Sequence, residues 1–190
     1  MANNKSERKG FSPQATAVAA AIGGLAVGLA ANVGRKALMQ GMDATYGNWD
    51  EILTAEHKAT MMIFDKLRDT GEAQTTKRTM LLVQLKHALT KHALEEENTV
   101  YPAMRENGLT DEADHLNHDH GYVKQFLFQL AEMKPSDPAW LPKVEEFRTQ
   151  LEEHVREEES ELFPKLREQL GEEGNAHVTA AMNKEGFIAA

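Results

Sequence analysis

Histidines and glutamates recur in this chain at matching offsets, and they are residue types that can bind a transition metal without cysteine. "HALEEENTVYP", residues 92–102, has a counterpart 62 residues later in "HVREEESELFP", residues 154–164. Each stretch contains a histidine, three consecutive glutamates, and an aromatic residue followed by proline. Residues four apart lie on nearly the same face of a helix, so each stretch presents one histidine and one glutamate together. The two pairs are His92 with Glu96 and His154 with Glu158.

Both pairs continue the apolar side of a predicted helix. Leu85 and Leu89 precede His92 on its face, and Phe147 and Leu151 stand likewise before His154. The histidine and glutamate of each pair should therefore point toward a protein core. A carboxylate there is costly unless it is protonated, paired or bound to a metal, and no Lys or Arg occupies these inward positions. A bound metal ion would account for both pairs.

Two further histidines extend the repeat. His57 stands 35 residues before His92, and His120 stands 34 residues before His154. Each follows an acidic residue and precedes apolar residues at the same three offsets. The repeat unit is thus a helix with one inward histidine, then a helix with His-x-x-x-Glu. Two facing units would gather six ligands, which exceed one tetrahedral zinc and suit two carboxylate-bridged metals. The predicted ligands are His57, His92, Glu96, His120, His154 and Glu158.

The neighbours of these ligands are expected to have other roles. His115 and His118 lie on other sides of the helix that carries His120, and so should not bind metal. The outer glutamates of the two runs are expected to lie partly in solvent. Tyr101 and Phe163 come nine residues after their histidines, roughly on the opposite side, and are expected to be packing residues.

Composition restricts the chemistry. The chain has 190 residues with 41% apolar residues, which is enough for one core. It has no cysteine, which excludes disulfides, thiolate zinc sites and iron–sulfur clusters. The net charge of −9 disfavours nucleic acid as a partner.

Helical periodicity dominates from residue 48 onward. "NWDE" predicts a capping box between Asn48 and Glu51, and three more helices are expected to start near Thr76, Thr110 and Trp140. No segment alternates like a strand. The fold expected for residues 48–170 is all-α, an up-down-up-down four-helix bundle. Residues 171–190 are expected to form a tail with a short helix around "NAHVTAAMN".

The N-terminal segment, residues 1–45, has a different character. A basic, polar leader precedes residues 15–34, an uncharged Ala/Gly-rich stretch expected to be an additional helix. Its length suits a membrane span, whereas its composition also suits a helix packed on protein or a cleaved signal. The expected location is cytoplasmic, with membrane contact through residues 15–34 as an alternative.

The doubled motif resembles the hemerythrin-like HHE cation-binding domain. The resemblance rests on His57, His92-x-x-x-Glu96, His120, His154-x-x-x-Glu158 and the tails "EENTVYP" and "EESELFP", and it covers about residues 48–170. It implies a four-helix bundle that holds two non-heme iron ions, oxo- or carboxylate-bridged. The six predicted ligands would hold the irons, with Glu96 and Glu158 as bridges.

The pattern departs from that of the oxygen-carrying hemerythrins. Their third helix has His-x-x-x-His, but Lys124 stands four residues after His120. Their fourth helix pairs His with Asp at a longer spacing. Fewer protein ligands favour reactive or sensing roles over oxygen carriage. The expected function is binding of oxygen, peroxide or nitric oxide for sensing or sequestration. The alternatives are a redox enzyme that dismutates hydrogen peroxide or reduces nitric oxide, and iron handling.

Overall fold

The structure is a computed structural model that describes residues 47–189. The N-terminal leader and the Ala/Gly-rich helix predicted for residues 15–34 lie outside this range. The described residues form helices and no strand. The elements are α1 (Trp49–Arg68), α2 (Thr75–Glu95), π1 (Glu96–Val100), α3 (Tyr101–Glu106), α4 (Thr110–Glu132), α5 (Trp140–Glu157), π2 (Glu158–Leu162) and α6 (Phe163–Ala189).

Four of these helices, α1, α2, α4 and α5, build the predicted bundle. Helix α1 packs on α2 and α5, and α4 packs on the same two helices, so the arrangement closes on itself. Short connections join consecutive helices, as in an up-down-up-down bundle. The predicted capping box begins α1, where the Asn48 N–H donates to Glu51 Oε2 at 3.1 Å. The all-α prediction is confirmed.

The core consists of two apolar clusters on either side of a polar layer. One cluster surrounds Trp49, Met104 and Leu166, and the other surrounds Phe64, Leu85 and Phe147. The predicted ligands come from positions between these clusters along each helix. Close packing on both sides excludes water from the layer and makes every unpaired polar atom there costly.

Each His-x-x-x-Glu pair is followed directly by a π-helical turn, which the sequence did not predict. The Tyr101 N–H donates to the Glu96 carbonyl, and the Phe163 N–H donates to the Glu158 carbonyl. Proline follows each aromatic residue, and its missing N–H prevents an ordinary α-helical hydrogen bond at that point. Each wide turn changes the helical register, so residues after it face different directions from those that an α-helix would give.

Helix α6 bends at Gly171, where φ is 62°, and then continues as helix to Ala189. The helix after the bend packs against the start of α1, because Trp49 Nε1 donates to Asn175 Oδ1 at 2.8 Å. This helix is longer than the short one predicted for the tail. None of the helices within residues 47–189 has the length and apolar character needed to cross a bilayer.

Candidate metal centre

The structure brings all six predicted ligands together inside the bundle. Each side chain is almost fully buried, with a relative exposure of 4% or less. Their ligand atoms form two groups, and Glu96 belongs to both. The first group contains His57, His92, Glu96 and Glu158, and the second contains Glu96, His120 and His154.

The ring Nε2 atoms of the four histidines turn toward the two carboxylates. His57 Nε2 lies 2.9 Å from His92 Nε2, and His92 Nε2 lies 3.2 Å from Glu96 Oε2. On the other side, His120 Nε2 is also 3.2 Å from Glu96 Oε2. Glu158 Oε2 lies 3.4 Å from the Nε2 atoms of both His57 and His154. The two carboxylates therefore stand between the histidine pairs.

A second ring of carboxylates fixes the histidines from outside. Each Nδ1 atom faces a carboxylate from the neighbouring helix, in cyclic order around the bundle. The pairs are His57–Glu159 at 2.9 Å, His92–Glu56 at 3.0 Å, His120–Glu97 at 3.0 Å and His154–Asp119 at 3.6 Å. At His57, His92 and His120 this hydrogen bond keeps the proton on Nδ1, and the Nε2 lone pair then points inward. The His154–Asp119 contact is too long for a hydrogen bond.

The side-chain atoms that point into the centre are hydrogen-bond acceptors, and this arrangement fits a cation. With Nδ1 protonated, His57 and His92 would place two Nε2 lone pairs 2.9 Å apart. Glu96 Oε1, Glu158 Oε2 and both ring nitrogens of His154 are buried and make no hydrogen bond. A buried centre made only of acceptors requires a proton or a metal ion among them. Imidazole and carboxylate ligands suit a first-row transition metal.

A sequence model of the hemerythrin HHE cation binding domain matches residues 49–166. The chain belongs to this family. A DNA nickase from Nostoc sp. is 28% identical over 137 residues, which are 72% of this chain and 38% of that protein. An uncharacterized hemerythrin-like protein from Schizosaccharomyces pombe is 26% identical over 133 residues, which are 68% of this chain and 64% of that protein. The chain thus covers less than two thirds of either relative, and no solved structure matches it.

The six predicted ligands together form what we call the HHE centre. Protons compete with a metal ion for these ligands. Burial lowers the pKa of His57, but the facing carboxylates of Glu158 and Glu159 outweigh it and raise that pKa to about 10. Burial opposes the effects of Glu96 and Glu97 in the same way at His120, and its pKa rises to about 9. The hydrogen bond from His120 in turn lowers the pKa of Glu97 to about 2. Without a metal, His57 and His120 are therefore protonated at neutral pH, and a metal that binds them would displace these protons.

The outer glutamates of the two runs lie partly in solvent as predicted, except Glu95. The side chains of Glu97, Glu157 and Glu159 are 23%, 34% and 32% exposed, and Glu97 and Glu159 also accept hydrogen bonds from ligand histidines. Glu95 is 1% exposed and accepts a hydrogen bond from the buried Lys91 at 2.6 Å. Lys91 also pairs with Glu56, which accepts a hydrogen bond from His92, so this ion-pair chain ends at the HHE centre.

Tyr101 also departs from its predicted role, because the π1 turn places it over Glu96. Its hydroxyl lies 3.0 Å from Glu158 Oε1, 3.1 Å from His120 Nε2 and 3.3 Å from Glu96 Oε2. Phe163, the equivalent residue of the second repeat, packs instead, with its ring stacked on His57 at 6.2 Å. Tyr101 is thus a polar neighbour of the centre and not only a packing residue.

Other residues near the centre lie outside both ligand groups. His115 is exposed and pairs with Glu157 at 3.3 Å, and His118 is exposed and packs on Tyr122. Lys124, at the position of the imidazole found in oxygen carriers, points outward and binds Glu97 at 2.7 Å. The missing imidazole is therefore not replaced by this lysine.

A groove between α4 and α5 runs from the surface to the buried side chain of His154, whose ring nitrogens remain covered. It encloses about 570 Å³ and extends from exposed polar residues such as Gln150 down to His154. Its floor is apolar, with Val123, Phe126 and Leu151 among the lining residues. A molecule of a few atoms could approach the His154 side of the centre by this route.

Proposed function

We propose that this chain holds two non-heme iron ions in the HHE centre and uses them to bind oxygen, peroxide or nitric oxide for sensing or sequestration. The observation that carries the proposal is Glu96, whose carboxylate belongs to two separate groups of ligand atoms. A carboxylate shared in this way is the usual bridge of two-metal sites in helical bundles. His57 and His92 would hold one iron, and His120 and His154 would hold the other.

The small number of protein ligands for each metal position favours a reactive centre. Each group contains only two imidazoles with one or two carboxylates. Iron accepts further ligands beyond these, so a diatomic molecule or peroxide could enter. The bound irons would supply electrons and free coordination positions. The chain itself contributes fixed imidazoles, buried carboxylates and the α4–α5 groove.

A redox enzyme at the same centre is the alternative. Dismutation of hydrogen peroxide or reduction of nitric oxide needs substrate entry and product exit, which the open groove would permit. DNA cleavage, suggested by the name of one relative, is not proposed here. The net charge of −9 disfavours binding to a phosphate backbone, and the match covers 38% of the nickase.

Iron titration followed by ligand mixing tests this proposal. The metal-free protein is titrated with ferrous iron under anaerobic conditions, and saturation at two irons per chain is expected. The loaded protein is then mixed with oxygen, nitric oxide or hydrogen peroxide. Consumption of about one molecule per centre supports binding, since a sensor retains its ligand. Continuous oxygen release from peroxide would favour the enzyme, and saturation at one iron would refute the two-metal centre.

A further inference from the structure

The two ligand groups are unequal, and Tyr101 lies on the poorer side. The first group contains four ligand residues, whereas the second contains only Glu96, His120 and His154. Neither His115 nor Lys124 supplies the missing ligand, because both point away from the centre. The second metal position would have fewer protein ligands unless Glu158, whose Oε2 lies 3.4 Å from His154 Nε2, or another side chain contributes.

The Tyr101 hydroxyl occupies a position suited to such a ligand. Tyr101 Oη, His120 Nε2 and Glu96 Oε2 form a nearly equilateral triangle with sides of 3.1, 3.2 and 3.3 Å. Two ligand atoms each ~2.1 Å from one ion are ~3.0 Å apart at a right angle and ~3.4 Å apart at a tetrahedral angle. All three sides fall within this interval.

With His120 neutral, as a metal ligand must be, hydrogen bonding alone does not account for these contacts. A phenol has one proton to donate, and Tyr101 Oη faces two carboxylates and one imidazole nitrogen. His120 Nε2 is itself an acceptor when Glu97 holds the proton at Nδ1. If the hydroxyl donates to Glu158, its contacts with Glu96 and His120 each bring two hydrogen-bond acceptors together. A cation among the three atoms would make all of these contacts favourable.

We propose that Tyr101 is a ligand of the second metal position, bound through its phenolate oxygen to the ion held by Glu96, His120 and His154. This proposal rests on the proposed two-iron centre. The phenol proton is released to solvent on binding, as for any ligand that coordinates as its anion. The first position lacks such a ligand because Phe163 replaces tyrosine in the second repeat. The two irons would then differ in charge and in affinity.

Tyr101→Phe tests the assignment with little structural disturbance, because phenylalanine already occupies the equivalent position 163. The ferric wild-type protein should show the visible charge-transfer absorption and the resonance Raman ring modes of an iron-bound phenolate. Both signals should disappear in Tyr101→Phe. Tyr122→Phe is the matched control, since Tyr122 is 47% exposed and lies outside the ligand groups. This control should keep both signals.

Competition with a chelator provides a second measurement on the same proteins. Tyr101→Phe should lower the affinity for one of the two irons by at least about tenfold and leave the affinity for the other unchanged. A wild-type protein that binds two irons without phenolate signals, or a Tyr101→Phe protein that keeps them, would overturn the assignment alone. A wild-type protein that binds only one iron would overturn the two-iron centre and the assignment together.

Discussion

Removal of the Glu97 carboxylate by Glu97→Ala should weaken iron binding, although Glu97 is not a predicted metal ligand. Glu97 Oε1 lies 3.0 Å from His120 Nδ1 and 2.7 Å from Lys124 Nζ. Without it, His120 can rotate, or take its proton at Nε2, where the metal must bind. Loss of such an outer carboxylate typically costs about 10- to 100-fold in metal affinity. This range corresponds to about 1.4–2.7 kcal/mol.

The structure supports a value within this range. A hydrogen bond to a charged group contributes about 1.5–3 kcal/mol. The Glu97 side chain is 23% exposed, so water can replace part of this contribution. We therefore expect an affinity loss of about tenfold, toward the lower end of the range. The stoichiometry at saturating iron should not change, because all six predicted ligands remain.

The assay is an anaerobic competition between protein and a chelator for ferrous iron at neutral pH. Glu106→Ala is the control, because it removes the same charge from an exposed position on α3. The control should bind iron like the wild-type protein. Equal affinities for Glu97→Ala and Glu106→Ala would refute the conclusion that the outer carboxylate ring supports the centre.

Three further predictions follow from the same geometry. Metal analysis should show that His120→Ala loses at least one iron per chain, whereas His115→Ala and His118→Ala keep both irons. Full iron content in His120→Ala would contradict the ligand assignment. The metal-free protein should lose stability to urea as pH rises from about 6.5 to about 9–10, because the raised pKa values of His57 and His120 stabilise the fold only while these groups are protonated. A gain in stability over that interval would show that these histidines are not paired with carboxylates. Gln150→Trp should obstruct the α4–α5 groove and slow nitric oxide association without changing the iron content. The control Gln84→Trp, on the exposed face of α2, should leave the association rate unchanged. Equal rates for the two variants would exclude this entry route.

The sequence allowed the bundle and the six predicted ligands to be anticipated, because both depend on local periodicity. Apolar residues at helical spacing place His92 and Glu96 on one inward face, and the same pattern recurs at His154 and Glu158. The repeat of the whole pattern then indicates that the two halves face each other. That the gathered residues bind iron remains a prediction.

The second ring of carboxylates, which faces the Nδ1 atoms of the histidines, could not be predicted, since it depends on how each helix is rotated relative to its neighbour. Acidic residues stand directly before His57 and His120 in the sequence, yet each faces the histidine of another helix. The position of Tyr101 does not follow from α-helical periodicity, because the π1 turn changes the register before it. The buried Lys91 and Glu95 pair was missed because isolated charges in a helix usually face solvent.

Diffraction from crystals of the iron-loaded protein, recorded at the iron absorption edge, tests the two-metal centre most directly. The anomalous signal locates iron without reference to the protein structure. Two peaks are expected inside the bundle about 3.5–4 Å apart, the separation usual in two-metal sites. One peak should lie beside His57 and His92, the other beside His120 and His154, with the Glu96 carboxylate reaching both. A single peak, or two peaks without Glu96 between them, would contradict the proposed centre.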